Sequence, residues 1–235
     1  MPNFSSFNAY GSENRELGQS HVPVWLGPVA PVPVGGVLAS AFLRKGLLLG
    51  AGFPVNLTNK VLTPFVAWKV VSFTAAVSPA TEDSIVIKPA VLGGVEIVPA
   101  ADDLIQKVGA TFATTGKAAV VASITALTGT DAGKYEIKVL HSATVDNLTE
   151  GDFIAISSAD AAGSSKSLAN QPNGYLYNDI YLGDLDDSAA AKSAHTIAAT
   201  GAVVKFHKYG LLVDLTASAE VKAQMAAAVP GVLQV

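Results

Sequence analysis

The sequence of 235 residues contains no cysteine. This absence excludes disulfide scaffolds, thiolate zinc sites, cysteine-ligated iron–sulfur clusters and thiol nucleophiles. What remains is a chain without covalent cross-links, long enough to bury the core of one large domain or of two small ones.

Charged residues are also scarce. The 15 basic and 19 acidic side chains make up 14% of the sequence and leave a net charge of −4, whereas about 25% is typical of soluble domains. Only two of the cations are arginines, Arg15 and Arg44. Because nucleic-acid binding depends on basic surfaces, this composition disfavours a nucleic-acid partner.

Half of the residues are hydrophobic, so few charges are left to cover the surface. A membrane helix does not explain this, because the longest apolar stretch, 37–53, is interrupted by Arg44 and Lys45 and a span needs about 20 apolar residues. The first 20 residues also lack the basic start and apolar run of a signal peptide. We therefore expect contacts with other chains to cover apolar surface; the alternative is a well-packed monomer with a Ser/Thr/Asn-rich surface.

Residues 1–36 are predicted to form an extended N-terminal arm that ends in a proline-rich strap. Prolines at positions 23, 28, 31 and 33 exclude a helix and a central strand. An extended apolar segment has no core of its own, so we expect the strap to lie on its own domain, a symmetry mate or another protein. The alternative is a solvated linker. The candidate interface residues are Val22, Val24, Trp25, Leu26, Val29, Val32 and Val34, with Trp25 as the expected anchor.

Residues 37–235 are predicted to form a β-rich domain, in which an internal boundary could fall near 110–130. Segments 117–127 and 134–140 flank the turn TGTDAG and alternate as the strands of a hairpin do, with Tyr135, Ile137 and Val139 on one face. Seven or more short strands indicate a mainly β fold with a β-barrel or β-sandwich core.

Two short helices are predicted within this domain. One lies near 100–108, where Pro99 suits a first turn and Asp102 and Asp103 suit the positive end of the helix dipole. The other lies near 219–228, in an alanine-rich stretch that ends before Pro230.

The apolar tail 231–235 is expected to dock as an edge strand. The segment LTEGD at 148–152 is expected to form a turn, in which Gly151 supplies an unusual φ and Asp152 bonds the loop backbone.

The sequence contains no motif that indicates catalysis. None of the four histidines has a ligand spacing, and G-x-S-x-G, S-x-x-K and the phosphate-binding loop are all missing. An acidic loop at 184–187 resembles part of a calcium loop but lacks its glycine and glutamate. We therefore expect no catalytic, cofactor or metal residues and no enzymatic activity. One weak candidate ligand face remains, with core or interface packing as its alternative: Tyr175, Tyr177 and Tyr181, which alternation places on one side of a strand.

The second half of the chain carries a family resemblance. TGTDAGKYEIKV at 128–139, LTEGDFI at 148–154, GLLVDLT at 210–216 and the terminal PGVLQV at 230–235 resemble tailed-phage virion structural proteins. These are of the head-fibre and capsid-decoration type, from phages of Bacteroidota including crAss-like phages. The resemblance implies a non-enzymatic homotrimer on the capsid surface, made in the host cytoplasm, that binds the major capsid protein or another head protein. A glycan-binding adhesin module displayed on the virion is the alternative.

Overall fold

The structure, a computed structural model, describes residues 36–50, 53–109, 115–145, 147–176 and 180–182, and the backbone of 203–204, 210–212 and 232–234. These residues are mainly in strands, and none of them lies in a helix of seven residues or more. The predicted mainly β class with a barrel core is therefore confirmed. The arm and strap before Gly36 and the helix expected near 219–228 lie outside the described residues.

The described elements are short. Single-turn 3-10 helices lie at Ser40–Phe42, Gly129–Asp131 and His141–Ala143. In chain order the strands are β1 Val37–Leu38, β2 Leu48–Leu49, β3 Pro54–Thr58, β4 Val61–Pro64, β5 Ala67–Thr74, β6 Glu82–Ile87, β7 Ala90–Leu92, β8 Val95–Ile97, β9 Leu104–Lys107, β10 Gly116–Lys117, β11 Ala119–Ala126, β12 Tyr135–Leu140, β13 Phe153–Ile156, β14 Ser165–Lys166, β15 Gly174–Leu176, β16 Ile180–Tyr181, β17 Val203–Val204, β18 Gly210–Leu212 and β19 Val232–Gln234.

The chain divides into two compact units. One contains the described residues up to Pro64, Gly93–Val95, and the described residues from Pro172 onward; the other contains Phe65–Leu92 and Glu96–Gln171. The division falls at 64/65, 92/93, 95/96 and 171/172.

The unit formed by Phe65–Leu92 and Glu96–Gln171 is a closed antiparallel barrel. Its six strands follow one another in the order β11-β12-β6-β5-β13-β9, with β9 pairing back onto β11. Alternate side chains along each strand point inward, and closure leaves no open strand edge in the barrel. The inward residues form one apolar core: Trp68, Val70, Ile85, Ile87, Ile105, Ala119, Val121, Ile137, Val139, Val145, Leu148 and Ile154.

The predicted central hairpin is confirmed. β11 and β12 pair antiparallel, with Ala126 opposite Tyr135, and the Gly129–Asp131 turn lies between them. Ile137 and Val139 are buried and Tyr135 packs against the same core, so the predicted face is the one that points into the barrel.

The helix predicted near 100–108 is wrong. Residues 101–102 form a turn in which Asp102 takes a φ of 70°, and the Asp103 carboxylate accepts a hydrogen bond from the Ala100 N–H at 2.6 Å. Residues 104–107 then form β9, which pairs with β13 and with the start of β11. Acidic side chains that suit a helix start suit a tight turn equally well, and the long-range pairing that closes the barrel decides between the two.

The remaining described residues form a second β unit. Its largest sheet has the order β1-β4-β3-β15-β17, and β2 pairs with β16 and β18 with β19 in two-stranded sheets. The pairing of β19 with β18 confirms that the tail docks as a strand. Asn173 joins β3 to the start of β15: its side-chain oxygen accepts from the Leu57 N–H at 2.9 Å, and its Nδ2 donates to the Leu57 carbonyl at 3.1 Å. The amide therefore replaces a peptide group in the ladder.

Candidate functional site

A buried carboxylate lies at one end of the barrel. Asp83, on β6, has no exposed surface. Its Oδ1 accepts the Ala76 N–H at 2.7 Å and lies 2.6 Å from Nδ1 of His141. A further bond, 2.9 Å from the His141 N–H to the Thr81 carbonyl, ties the same two segments together. One carboxylate oxygen thus joins the loop after β5 to the residue that follows β12.

These contacts also set the ionisation of Asp83. Burial raises the pKa of its carboxyl, but the nearby Thr144 hydroxyl, the hydrogen bonds with Ala76 and His141 and the charge of His141 outweigh burial and lower the pKa below its ordinary value. The Thr144 hydroxyl and Asp83 Oδ2 are both buried and make no hydrogen bond of standard geometry within the described residues. The closeness of the hydroxyl still favours the charged form of the carboxyl.

This Asp–His pair acts as a clamp that holds two backbone segments together. Its carboxylate fixes the orientation of the imidazole, as in catalytic triads, and the imidazole remains 53% exposed. Within the described residues, no side-chain hydroxyl is hydrogen-bonded to the ring of His141. The contacts that are present connect backbone segments. No local pattern in the sequence indicates this pair, because its members lie 58 positions apart.

Large apolar side chains are exposed beside this clamp. Val77, in the loop that Asp83 holds, is 79% exposed, and Leu140, the last residue of β12, is 46% exposed. Residues 70–81 contain no charged side chain. This end of the barrel therefore presents an uncharged, apolar loop to solvent.

The LTEGD turn forms as predicted. Gly151 has a φ of 90°, and Asp152 accepts from the N–H and hydroxyl of Thr149 at 2.7 and 2.8 Å. Asp152 also pairs with Lys107 at 2.7 Å. Burial raises the pKa of the Asp152 carboxyl, but the bonds from Lys107 and Thr149 and the charge of Lys107 bring it below its ordinary value.

A second buried polar pair lies on β9 and just beyond β13. The Ser157 hydroxyl donates to Oε1 of Gln106, and Ser157 Oγ accepts from the Ala159 N–H at 3.1 Å. Gln106 is fully buried, and its Nε2 has no hydrogen-bond partner within the described residues. A side chain at Gly116 would place its Cβ 3.2 Å from that nitrogen. A larger residue at position 116 would therefore require the Gln106 amide to shift by a few tenths of an ångström.

The described structure begins at Gly36, next to the edge strand β1. Gly36 is buried, and a Cβ at this position would lie 2.5 Å from Cδ1 of Leu57 and 3.1 Å from Cβ of Leu62. The next residue, Val37, donates its N–H to the Lys60 carbonyl at 2.7 Å. Gly36 and Val37 are thus fixed at the edge of the five-stranded sheet.

One member of the predicted tyrosine face is buried. Tyr175 is 1% exposed, which fits the alternative of core packing rather than a ligand face. The physical reason is that all three residues of β15 are buried. Tyr181 is 38% exposed, and Tyr177 lies outside the described residues.

Other predicted sites fall outside the described parts of the chain. They include the acidic loop at 184–187 and every strap residue named as a candidate interface: Val22, Val24, Trp25, Leu26, Val29, Val32 and Val34. Among the residues that the structure does describe, no three His, Asp or Glu side chains group so as to hold a metal ion. A search of that same part of the chain for a helix able to cross a membrane found none.

Comparisons with known proteins give no relative. No protein-family model, no curated protein and no solved structure matches the chain.

Proposed function

We propose that this protein is a structural component of a tailed-phage virion, a capsid-decoration or head-fibre subunit that assembles as a homotrimer on the phage head. It is made in the host cytoplasm and resides on the capsid surface. Its partners are its own copies and the major capsid protein or another head protein. The proposal includes no catalytic activity and no cofactor, membrane or nucleic-acid partner.

Three features support a passive, assembling role. The chain resembles virion proteins in the segments 128–139 and 148–154, which here form the central hairpin and the turn before β13. Its closed barrel is a rigid scaffold without open edges. Its charged residues are few for its length, as expected for a chain whose apolar surface is covered by symmetric contacts.

The observation that carries the proposal is the composition of the strap. Residues 22–34 carry four prolines and seven large apolar side chains, whereas solvated linkers are typically rich in glycine, serine or charged residues. We expect these apolar side chains to contact a neighbour, with Trp25 as the anchor.

The first test is the protein composition of purified particles. Mass spectrometry of virions from the phage or induced prophage that encodes the chain should find it in stoichiometric amounts with the head proteins. Its absence from particles that contain the other head proteins would contradict the virion role.

The second test concerns the strap. A variant lacking residues 1–35 keeps Gly36, so we expect it to remain folded but to be lost from particles. Trp25→Ala should reduce incorporation, whereas Val91→Ala, a matched truncation of an apolar side chain that is 60% exposed on β7, should not. Normal incorporation of the truncated chain would refute the role of the strap.

The adhesin alternative loses one candidate ligand residue, because Tyr175 is buried.

A further inference from the structure

The chain contains a single asparagine that is followed by glycine, Asn173. In such a pair the backbone nitrogen of the glycine can attack the side-chain carbonyl carbon of the asparagine, because no Cβ on the glycine hinders the approach. An intramolecular attack of this kind is fast only when the reacting atoms are oriented correctly at about 3–3.5 Å. The conformation of Asn173 therefore decides whether its side chain reacts.

The side-chain amide of Asn173 is bound at both ends. Its Oδ1 accepts the Leu57 N–H at 2.9 Å, and its Nδ2 donates to the Leu57 carbonyl at 3.1 Å. These two hydrogen bonds are here called the Asn173 bridge. The Asn173 N–H also donates to the Val55 carbonyl at 3.0 Å. Ring closure onto the Gly174 nitrogen changes the geometry of the whole amide, so both bonds of the bridge must break before the reaction can occur.

The strand that contains Gly174 is an inner strand. In the five-stranded sheet β15 lies between β3 and β17, and all three of its residues are buried. Gly174 itself lies opposite Val55. Buried inner strands separate only in rare opening events. The Asn173 bridge therefore breaks when β15 opens from β3.

We propose that Asn173 is a site of spontaneous deamidation, which the fold keeps unreactive and which reacts only when β15 separates from β3. The Gly174 nitrogen loses its proton to solvent and forms a bond with Cγ of Asn173. The Cγ–Nδ2 bond then breaks, and Nδ2 takes up a proton and leaves as ammonia. Water hydrolyses either carbonyl of the resulting succinimide, which leaves aspartate or isoaspartate at position 173. This inference goes beyond the virion role and does not depend on it.

Neither product can restore the Asn173 bridge. Aspartate has an oxygen in place of Nδ2, so two acceptors would meet where Nδ2 now donates to the Leu57 carbonyl. Isoaspartate adds one carbon to the backbone before Gly174, which shifts Gly174 from its position opposite Val55. An opening event that leads to reaction is therefore irreversible.

The first test compares the full chain in native buffer and in guanidinium chloride at the same mildly alkaline pH. Peptide mapping by mass spectrometry measures deamidation at each asparagine. We expect Asn173 to react at least tenfold more slowly in the native chain, because two hydrogen bonds must break first. Asn170 is the internal control, since it is exposed and precedes Gln171, and it should react at similar rates in both. Equal rates at Asn173, or an equal slowing at Asn170, would overturn the inference.

A variant tests the attacking atom. In guanidinium chloride, where the fold has no influence, Gly174→Ala should slow deamidation of Asn173 at least tenfold. An unchanged rate would show that the Gly174 nitrogen is not the nucleophile and would overturn the proposed reaction.

The second test connects the reaction to the opening of β15. Amide hydrogen exchange at Leu57 and deamidation of Asn173 should accelerate in parallel as guanidinium chloride is raised below the unfolding transition. If the Leu57 N–H exchanges freely while Asn173 remains unmodified, the bridge does not protect the asparagine and the inference is overturned.

The third test makes one product directly and needs no unfolding step. In Asn173→Asp the Leu57 N–H should exchange at least tenfold faster than in the parent. Exchange at the rate of the parent would contradict the claim that the modified chain cannot close.

Discussion

Removing the Asp83 carboxylate should destabilise the barrel in a pH-dependent way. In Asp83→Ala, the Ala76 N–H and the His141 ring lose an acceptor that now lies within 2.7 Å of each. Hydrogen bonds to charged groups contribute about 1.5–3 kcal/mol each. Because His141 is 53% exposed and can bond water instead, we expect the free energy of unfolding to fall by about 2–4 kcal/mol at pH 7.

The pH dependence follows from the lowered pKa of Asp83. A carboxyl whose pKa is lower in the folded state stabilises the fold above its unfolded pKa of about 3.9, and this contribution is lost as the pH falls through the folded value. The deficit of Asp83→Ala should therefore be complete at pH 7 and shrink below about pH 4.

Urea unfolding followed by tryptophan fluorescence measures this deficit. The chain has two tryptophans, and a Trp25→Phe background leaves only Trp68, which is 3% exposed in the barrel core and donates to the Ile97 carbonyl at 2.9 Å. Asp83→Asn is the matched control, because its amide oxygen can still accept, and it should lose less than Asp83→Ala. A difference below about 0.5 kcal/mol between Asp83→Ala and the background, the range of an ordinary surface substitution, would refute the clamp.

Further predictions concern the turn before β13 and the amide that joins two strands. Asn173→Ala removes two hydrogen bonds to the Leu57 backbone and should cost about 1–3 kcal/mol; amide hydrogen exchange at Leu57 should accelerate, and unchanged protection would contradict this role. Gly151→Ala meets no atom within 4 Å, so its cost is that of φ +90° alone, about 1–2 kcal/mol in urea unfolding. Lowering the pH from 7 to 3 should reduce the free energy of unfolding less in Asp152→Asn than in the parent. The reason is that the lowered pKa of Asp152 makes its pairing with Lys107 acid-sensitive. Equal reductions in the two proteins would contradict this.

Local patterns in the sequence predicted the parts of the barrel that adjacent residues determine. Alternation across 134–140 identified the inward face of β12, and a turn pattern at 148–152 identified the roles of Gly151 and Asp152. Both depend on backbone geometry within a few residues. The error at 100–108 arose where pairing with two distant strands determines the structure of 104–107.

The polar sites could not be predicted for the same reason. Asp83 and His141 are 58 positions apart, and Gln106 and Ser157 are 51 apart. Only closure of the barrel brings each pair together. Tyr175 shows a second limit of sequence patterns. Alternation indicates that residues lie on one side of a strand, but it does not indicate whether that side faces solvent or a neighbouring layer.

The mass of the full chain in solution tests the central claim of self-assembly most directly. Sedimentation equilibrium should give a particle of about 72 kDa, three times the 24.0 kDa of one chain. A single species of 24.0 kDa at every concentration would contradict the homotrimer.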